Sequence, residues 1–253
     1  MWFTGPLTEA TIARDLERVD HVLNLTSNST EHKVACDRFH ALQIAVENDS
    51  LLIVHLLLSR GVQPSTFDFS VAVQNRSYAI LELMLANGLD IKAASQAQPS
   101  SFWTGAFADP ELVRWLVAHR ADLNAPDEFG CTPFSIAAQS TPLETLILLL
   151  ELGAAADQGY PLHSAIENNR EEGVVQLLLN NGASPNAIEF EGKPKAFYDI
   201  VNGVGTPLHV AYRQGNDKLV QLLHKHGAAE NIKDTKGRLP CQVRDARPIS
   251  ASL

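Results

Sequence analysis

Cysteine is scarce. Cys36, Cys131 and Cys241 are the three in a chain of 253 residues, far apart and in no paired spacing, which argues against a disulfide framework or a cysteine zinc site and fits a reducing compartment. Long apolar runs are missing as well: the longest, Leu146 to Leu150, falls well short of the ~18 residues of a membrane span, so no membrane partner is expected. Basic charge is in deficit, with 20 Lys and Arg against 29 Asp and Glu, a net of -9. Broad docking on nucleic acid or an anionic bilayer requires the opposite balance. With 15 Gly and 13 Pro, collagen-like and disordered compositions are excluded. What is present, 45% apolar and 19% charged residues, is an ordinary globular composition on a chain long enough for a continuous core.

The charge is uneven. Residues 1–190 hold 10 basic and 23 acidic residues, net -13, while residues 191–253 hold 10 basic and 6 acidic, net +4. The segment Met1-Trp2-Phe3-Thr4-Gly5-Pro6 has no basic stretch followed by an apolar one, so a cytoplasmic or nuclear protein is expected rather than a secreted one. The patterns Asn24-Leu25-Thr26 and Asn28-Ser29-Thr30 then read as chance in a Ser/Thr-rich linker, not as glycosylation sites.

Against this background one phrase recurs: a Leu-rich triplet, polar residues, then Gly and a small residue. It appears at Leu56 to Val62, Leu83 to Leu89, Trp115 to Ala121, Leu148 to Ala154, Leu177 to Ala183 and Leu222 to Ala228. The Gly position falls at 61, 88, 153, 182 and 227, with Arg120 standing in for it once. Upstream lies a second phrase, Thr206-Pro207-Leu208-His209-Val210-Ala211, with counterparts Thr132 to Ala137 and Tyr160 to Ala165. Thr132 and Thr206 can cap a helix, with Pro at the first helical position, where its missing N–H costs nothing. Ala45, Ala72, Ala137, Ala165 and Ala211 permit close helix approach, and each terminal Gly can take the left-handed conformation that ends a helix. Arg120 predicts a strained or altered turn.

These two phrases together resemble the ankyrin repeat over roughly residues 37–242. The resemblance implies an all-α solenoid of stacked helix-turn-helix units with hairpin fingers: six repeats over 37–233, an N-terminal capping helix and linker over 1–36, and a C-terminal partial repeat and tail over 234–253. The capping helix is expected over Thr8–Leu23, with Ile12, Leu16, Val19 and Leu23 on one face. An insertion falls at 188–205, carrying Phe190, Lys193, Lys195, Phe197 and Tyr198.

The resemblance further implies binding of another protein or peptide through the concave face lined by the first helices. Its variable positions fall on Glu47 and Asn48, Gln74 and Asn75, Ala106 and Phe107, Gln139 and Ser140, Glu167 and Asn168, and Arg213 and Gln214, with finger positions Glu128, Phe129 and Cys131. His163 and His209 are implied to be structural, bonding the backbone of adjacent turns. A non-catalytic interaction module or scaffold, without cofactor or metal, is the leading reading, since no nucleophile elbow, phosphate loop or His-Glu-x-x-His helix occurs. The alternative is an enzyme of isomerase, cyclase or hydrolase type. Phe102, Trp103 and Phe107, closed over by Tyr198, would hold a small apolar ligand, with Glu47, Gln74, Glu128, Tyr160 or Arg213 nearby for proton transfer. Nucleic-acid binding through Lys193, Lys195, Lys218, Lys225, Lys233 and Lys236 is disfavoured by the acidic remainder.

Overall fold

The computed structural model describes residues 5–27, 29–97, 99–189 and 204–243, and the side chain of Ser101 is not among them. Among the described residues the protein is all α, with fifteen α-helices, a single 3-10 turn and no strand. The chain divides into two compact units, Met1–Asp122 and Leu123–Leu253.

In the first unit, helices pair as α1 (Pro6–Ile12) with α2 (Leu16–Leu25), α3 (His32–Glu47) with α4 (Leu51–Ser59), α5 (Thr66–Asn75) with α6 (Tyr78–Ala86), and α8 (Pro99–Ala106) with α9 (Pro110–Ala118). A short extra helix, α7 (Ile91–Ala97), stands before α8 and packs on α5. The first members of the pairs form one row, α1 on α3 on α5 on α8, and the second members a parallel row, α2 on α4 on α6. A single pair leaves an apolar face open, so the core exists only where neighbours stack. Ala10, Ala45 and Ala72 lie at the contact and are fully buried.

The N-terminal segment departs from the single helix expected over Thr8–Leu23. Arg14 adopts a left-handed φ of 55° and breaks it into α1 and α2. The break is the same turn that joins the helices of other repeats: Asp49, Arg76, Asn169 and Gly215 occupy the matching left-handed place. The backbone bonds match as well, with Arg14 N donating to Thr11 O and Asp15 N to Ala10 O, as Asp49 N does to Val46 O and Ser50 N to Ala45 O. Because the direction changes at Arg14, Val19 and Leu23 are buried while Ile12 and Leu16 are 55% and 40% exposed. Residues 5–27 are thus built like a repeat. The N-terminus of α1 is closed by Asp37 of α3, whose carboxylate accepts from Leu7 N (2.9 Å), Thr8 N (3.0 Å) and Thr8 Oγ1 (2.6 Å). A Cβ at Gly5 would collide with that carboxylate.

The second unit repeats the scheme with α10 (Pro133–Ser140) and α11 (Leu143–Glu151), α12 (Pro161–Glu167) and α13 (Glu172–Asn180), and α14 (Pro207–Gln214) and α15 (Asp217–Lys225). Here α10 packs on α12, α12 on α14, and the 3-10 turn Pro240–Val243 on α14. Ala137, Ala165 and Ala211 are fully buried between the helices. The partial repeat expected at the C-terminus is described as far as residue 243 and ends in that turn. Of the insertion at 188–205, residues 190–203 lie outside the described residues.

Of the strained or altered turn that Arg120 predicts, the structure shows the strained one. The φ of Arg120 is 75°, alongside 81° at Gly61, 87° at Gly88, 95° at Gly153, 96° at Gly182 and 84° at Gly227. Ala121 N donates to Leu116 O as Ala154 N does to Leu149 O. The turn keeps its shape and the cost falls on the residue, since a Cβ in this region strains the backbone. Arg120→Gly is therefore expected to stabilise the protein by about 1 kcal/mol, the relief of strain being partly offset by the greater freedom of Gly in the unfolded chain. A urea midpoint that rises for Arg120→Gly but falls for Gly153→Arg checks this.

Candidate functional site

The face carried by the first helices of the second unit is held in register by a ladder of side-chain to backbone bonds. Ser135 Oγ of α10 accepts from Tyr160 N (2.9 Å), His163 Nε2 of α12 donates to Gly205 O (3.0 Å), and His209 Nε2 of α14 donates to Arg238 O (3.1 Å). Each side chain reaches the turn that opens the next unit. His209 also accepts from Thr206 N on Nδ1 (3.0 Å), which fixes the tautomer with the proton on Nε2. The two histidines are 1% and 2% exposed. Burial lowers the pKa of His163 to about 4, with the positive charge of Arg213 and the neighbouring His209 adding to it, while the bond to Gly205 opposes it. Burial lowers that of His209 too. Both are neutral structural groups, as the sequence implied.

The fingers follow one design. Asp127 accepts from Phe129 N (2.9 Å) and Cys131 N (2.8 Å), and Asp234 accepts from Lys236 N (2.9 Å) and Arg238 N (2.8 Å). A second rung joins each finger to the turn after the second helix that follows it: Asn124 bonds Gly153 O and Ala155 N, and Asn186 bonds Gly227 O and Ala229 N. The Asn and Asp positions of the fingers are thus given to architecture, while Glu128 after them is exposed and Phe129 and Cys131 are half-buried.

The variable helix positions divide into two groups. Gln139, Ser140, Glu167 and Asn168 are exposed, and Arg213 and Gln214 half-exposed, at matching places on α10, α12 and α14. Glu167 faces Arg213 at 3.4 Å. Burial pushes the Glu167 carboxyl up, opposed by the Arg213 charge. Nearby Glu189, at the start of the insertion, is pushed up to about 8 by burial first and then by the charge of Glu167. Gln214 is committed elsewhere: its Nε2 donates to Ile166 O of the preceding helix (2.6 Å). Arg170 serves the same purpose one unit earlier, bonding Ala138 O (3.2 Å) and Thr141 O. These side chains close the C-terminal carbonyls of the neighbouring first helix, which otherwise lack partners.

In the first unit the corresponding residues are Glu47, Asn48, Gln74 and Asn75, all exposed. Asn75 repeats the Gln214 arrangement, with Nδ2 donating to Val46 O (3.1 Å). Glu47 accepts from Gln43 Nε2 on its own helix (3.1 Å), and Gln74 packs closely over Gly105.

The aromatic group does not form the pocket that the alternative reading requires. Phe102 and Trp103 are fully buried, Phe107 is 4% exposed and Ala106 is fully buried. Phe69 stacks on Phe102 with ring centres 6.2 Å apart, Trp103 meets Phe102 edge to face at 5.2 Å, and Phe107 stacks on Trp103 at 5.8 Å. These rings fill one another's space inside the stack, which is what large side chains on closely packed helices do. Tyr160, half-buried, rests edge-on against His163 at 6.0 Å, and Tyr198 lies outside the described residues. Among the described residues no three His, Cys, Asp or Glu side chains gather as metal ligands, and no helix is long and apolar enough to cross a membrane.

The alternation of capped first helix, leucine-rich second helix and Asp-Gly finger agrees with a comparison against known families. Residues 102–189 match a model of ankyrin repeats in three copies, and residues 205–235 match the single ankyrin repeat. The chain is an ankyrin-repeat protein. Ankyrin repeats are in general protein–protein interaction modules. Similar proteins include the mouse B-cell lymphoma 3 protein homolog, 31% identical over 134 residues, which cover 51% of this chain and 27% of that protein. The Drosophila melanogaster tyrosine-protein kinase Shark is 33% identical over 78 residues, 28% of this chain and 8% of the kinase. The human transient receptor potential cation channel subfamily A member 1 is 25% identical over 195 residues, 74% of this chain and 14% of the channel. The aligned part of this ankyrin-repeat chain thus spans about a quarter or less of each of these relatives. Their names differ as widely as a kinase and a channel, so what they share with this chain is the repeat, not a reaction.

Proposed function

We propose that this ankyrin-repeat chain is a non-catalytic interaction module, and that the first helices of its second unit, with the finger at Glu128 and Phe129, bind another protein. The observation that supports this most is the register of the exposed pairs Gln139/Ser140 and Glu167/Asn168 with the half-exposed Arg213. Three successive first helices present polar groups at the same place, while Ala138 and Ile166, which precede the two pairs, are buried and Tyr212, which precedes Arg213, is half-buried. A row of amides and charges on a rigid, hydrogen-bonded scaffold reads a protein surface by donor and acceptor geometry and charge pattern. A cytoplasmic or nuclear setting, as for a scaffold, is part of the same proposal. The isomerase, cyclase or hydrolase reading loses its support because Phe102, Trp103 and Phe107 are packed core.

Affinity capture from the native cell with wild type and the double variant Gln139→Ala/Arg213→Ala tests the reading. Both residues project from the surface, so the fold should persist while recovery of specific partners falls about tenfold or more, the range of a lost charged or well-placed interface contact. Equal recovery of the same partners by both proteins would remove this face as the binding surface.

A further inference from the structure

A second surface, on the second helices of the first unit, follows a different logic. Between α2 and α4 of the first unit runs a shallow groove of about 470 Å³ lined by Leu16, Glu17, Asp20, Leu52, His55 and Leu56. Two of its apolar side chains stand in the open, Leu52 at 69% exposed and Leu16 at 40%, and the adjoining Leu51 is 41% exposed.

Comparison with the other repeats of the same chain shows how unusual this is. Leu52 is the second residue of α4, and the second residues of α2, α6, α9, α11, α13 and α15 are Glu17, Ala79, Glu111, Glu144, Gly173 and Lys218. The position is polar or small wherever else it occurs, as expected for a solvent-facing place on an amphipathic helix. A leucine there adds nothing to the stack, and a large exposed apolar patch on a folded surface marks an interaction site.

The charges around the patch say what would cover it. The fifth residues of the three neighbouring helices α2, α4 and α6 are Asp20, His55 and Glu82. The leucine ridge therefore lies between acidic groups on both adjoining helices, with Glu17 as a third. Two cations near the groove are already paired, Arg60 with Asp20, where it also donates to Asn24 (2.7 Å), and Arg18 with Glu9. A second copy of this chain would bring the same acidic rim against this one, and an anionic bilayer would meet it with like charge. A groove between two side-by-side helices accepts a third helix through its i, i+3, i+4 and i+7 side chains.

We infer that the α2–α4 groove docks an amphipathic helix of another protein whose apolar stripe of leucine-like residues is flanked by Lys or Arg. This surface is separate from the first-helix face proposed above and stands without it. The probe is a fluorescein-labelled leucine–lysine amphipathic helix, titrated by anisotropy against the full chain. A leucine–glutamate helix of the same apolar pattern serves as its counterpart. The expected results are a preference of at least tenfold for the lysine helix and weakening of its binding by at least tenfold in Leu52→Gln. Glu17→Lys should reduce the preference, and Gln139→Ala/Arg213→Ala should leave binding unchanged. Unaltered circular dichroism and melting temperature in Leu52→Gln exclude a folding defect. Equal affinity for the two helices, or full binding by Leu52→Gln, overturns the proposal. So does a Leu52-dependent dimer in sedimentation equilibrium, or Leu52-dependent binding to phosphatidylserine vesicles in place of the helix.

Discussion

Trp103→Ala is expected to lower the unfolding free energy by about 3–5 kcal/mol, the cost of emptying a large buried ring site that its neighbours cannot collapse into. Trp103 is fully buried and meets Phe102 and Phe107, so the loss would also loosen the contact of α8 with α5, which carries Phe69 onto Phe102. Against a total stability of ~5–15 kcal/mol for a typical domain, this is enough to unfold the first unit under mild conditions. Trp103→Phe should cost less, about 1–2 kcal/mol. It keeps much of the ring volume and removes an indole N–H that has no hydrogen-bond partner among the described residues. Urea unfolding of the two variants, with hydrogen exchange followed over α5 to α9, checks both magnitudes and location. A Trp lining an open ligand pocket would give the reverse order, with truncation nearly neutral for stability. Near-wild-type unfolding of Trp103→Ala would therefore reopen the small-molecule reading.

In a stack of repeats each helix pair contacts only its neighbours, so stability is close to a sum of local contributions. That explains why the side chains joining successive units are so regular. Ser135, His163 and His209 differ in chemistry but occupy one role, and Asn75 and Gln214 share another. Gln139, Ser140, Glu167 and Asn168 remain outside these ladders and are exposed.

The repeat was legible in the sequence because its signals are short and strong: Thr-Pro caps, buried Ala, leucines at helical spacing, and Gly where φ must be positive. Where those signals weaken, the sequence reading loses ground for identifiable reasons. Gly5-Pro6-Leu7-Thr8-Glu9-Ala10 is a version of Thr206-Pro207-Leu208-His209-Val210-Ala211. In it the capping hydroxyl is missing, and its work passes to Asp37, thirty residues away from Leu7. The turn that follows uses Arg14 rather than Gly in the left-handed conformation, and nothing in the local sequence marks it. The core aromatics were open to two readings because periodicity says which residues share a face but not how tightly the next helix covers it. Asn75 and Gln214 looked like ligand contacts for a related reason: only the stacked neighbour supplies the carbonyl that occupies them. The helix α7 has no counterpart in the repeat pattern.

Replacing His163 by Gln should change how stability responds to acid, in a way that the neighbouring carboxyl disguises in the wild type. His163 is buried and neutral, its pKa lowered from 6.5 to about 4. Above pH 6.5 both folded and unfolded chains carry it neutral. As pH falls from there towards 4 the unfolded chain takes up a proton that the folded chain refuses, and stability is lost. The full span amounts to about 3 kcal/mol. Glu189 acts in the opposite sense. Its pKa is raised from 4.5 to about 8, so the folded chain holds a proton that the unfolded chain releases, and stability falls as pH rises between those values. Between pH 4.5 and 6.5 the two slopes oppose, and the wild-type profile alone is nearly uninformative. The difference between wild type and His163→Gln isolates the histidine, since the Gln amide can still donate to Gly205 O but does not titrate. That difference should shift in favour of the variant by about 3 kcal/mol between pH 7 and pH 4. In Glu189→Gln, by contrast, the decline from pH 4.5 to 8 should disappear and the acid loss due to His163 should emerge uncompensated. Urea unfolding at half-unit pH steps measures both; parallel profiles for wild type and His163→Gln would show that the imidazole titrates alike in the folded and unfolded chains, contrary to its burial in a site closed to water.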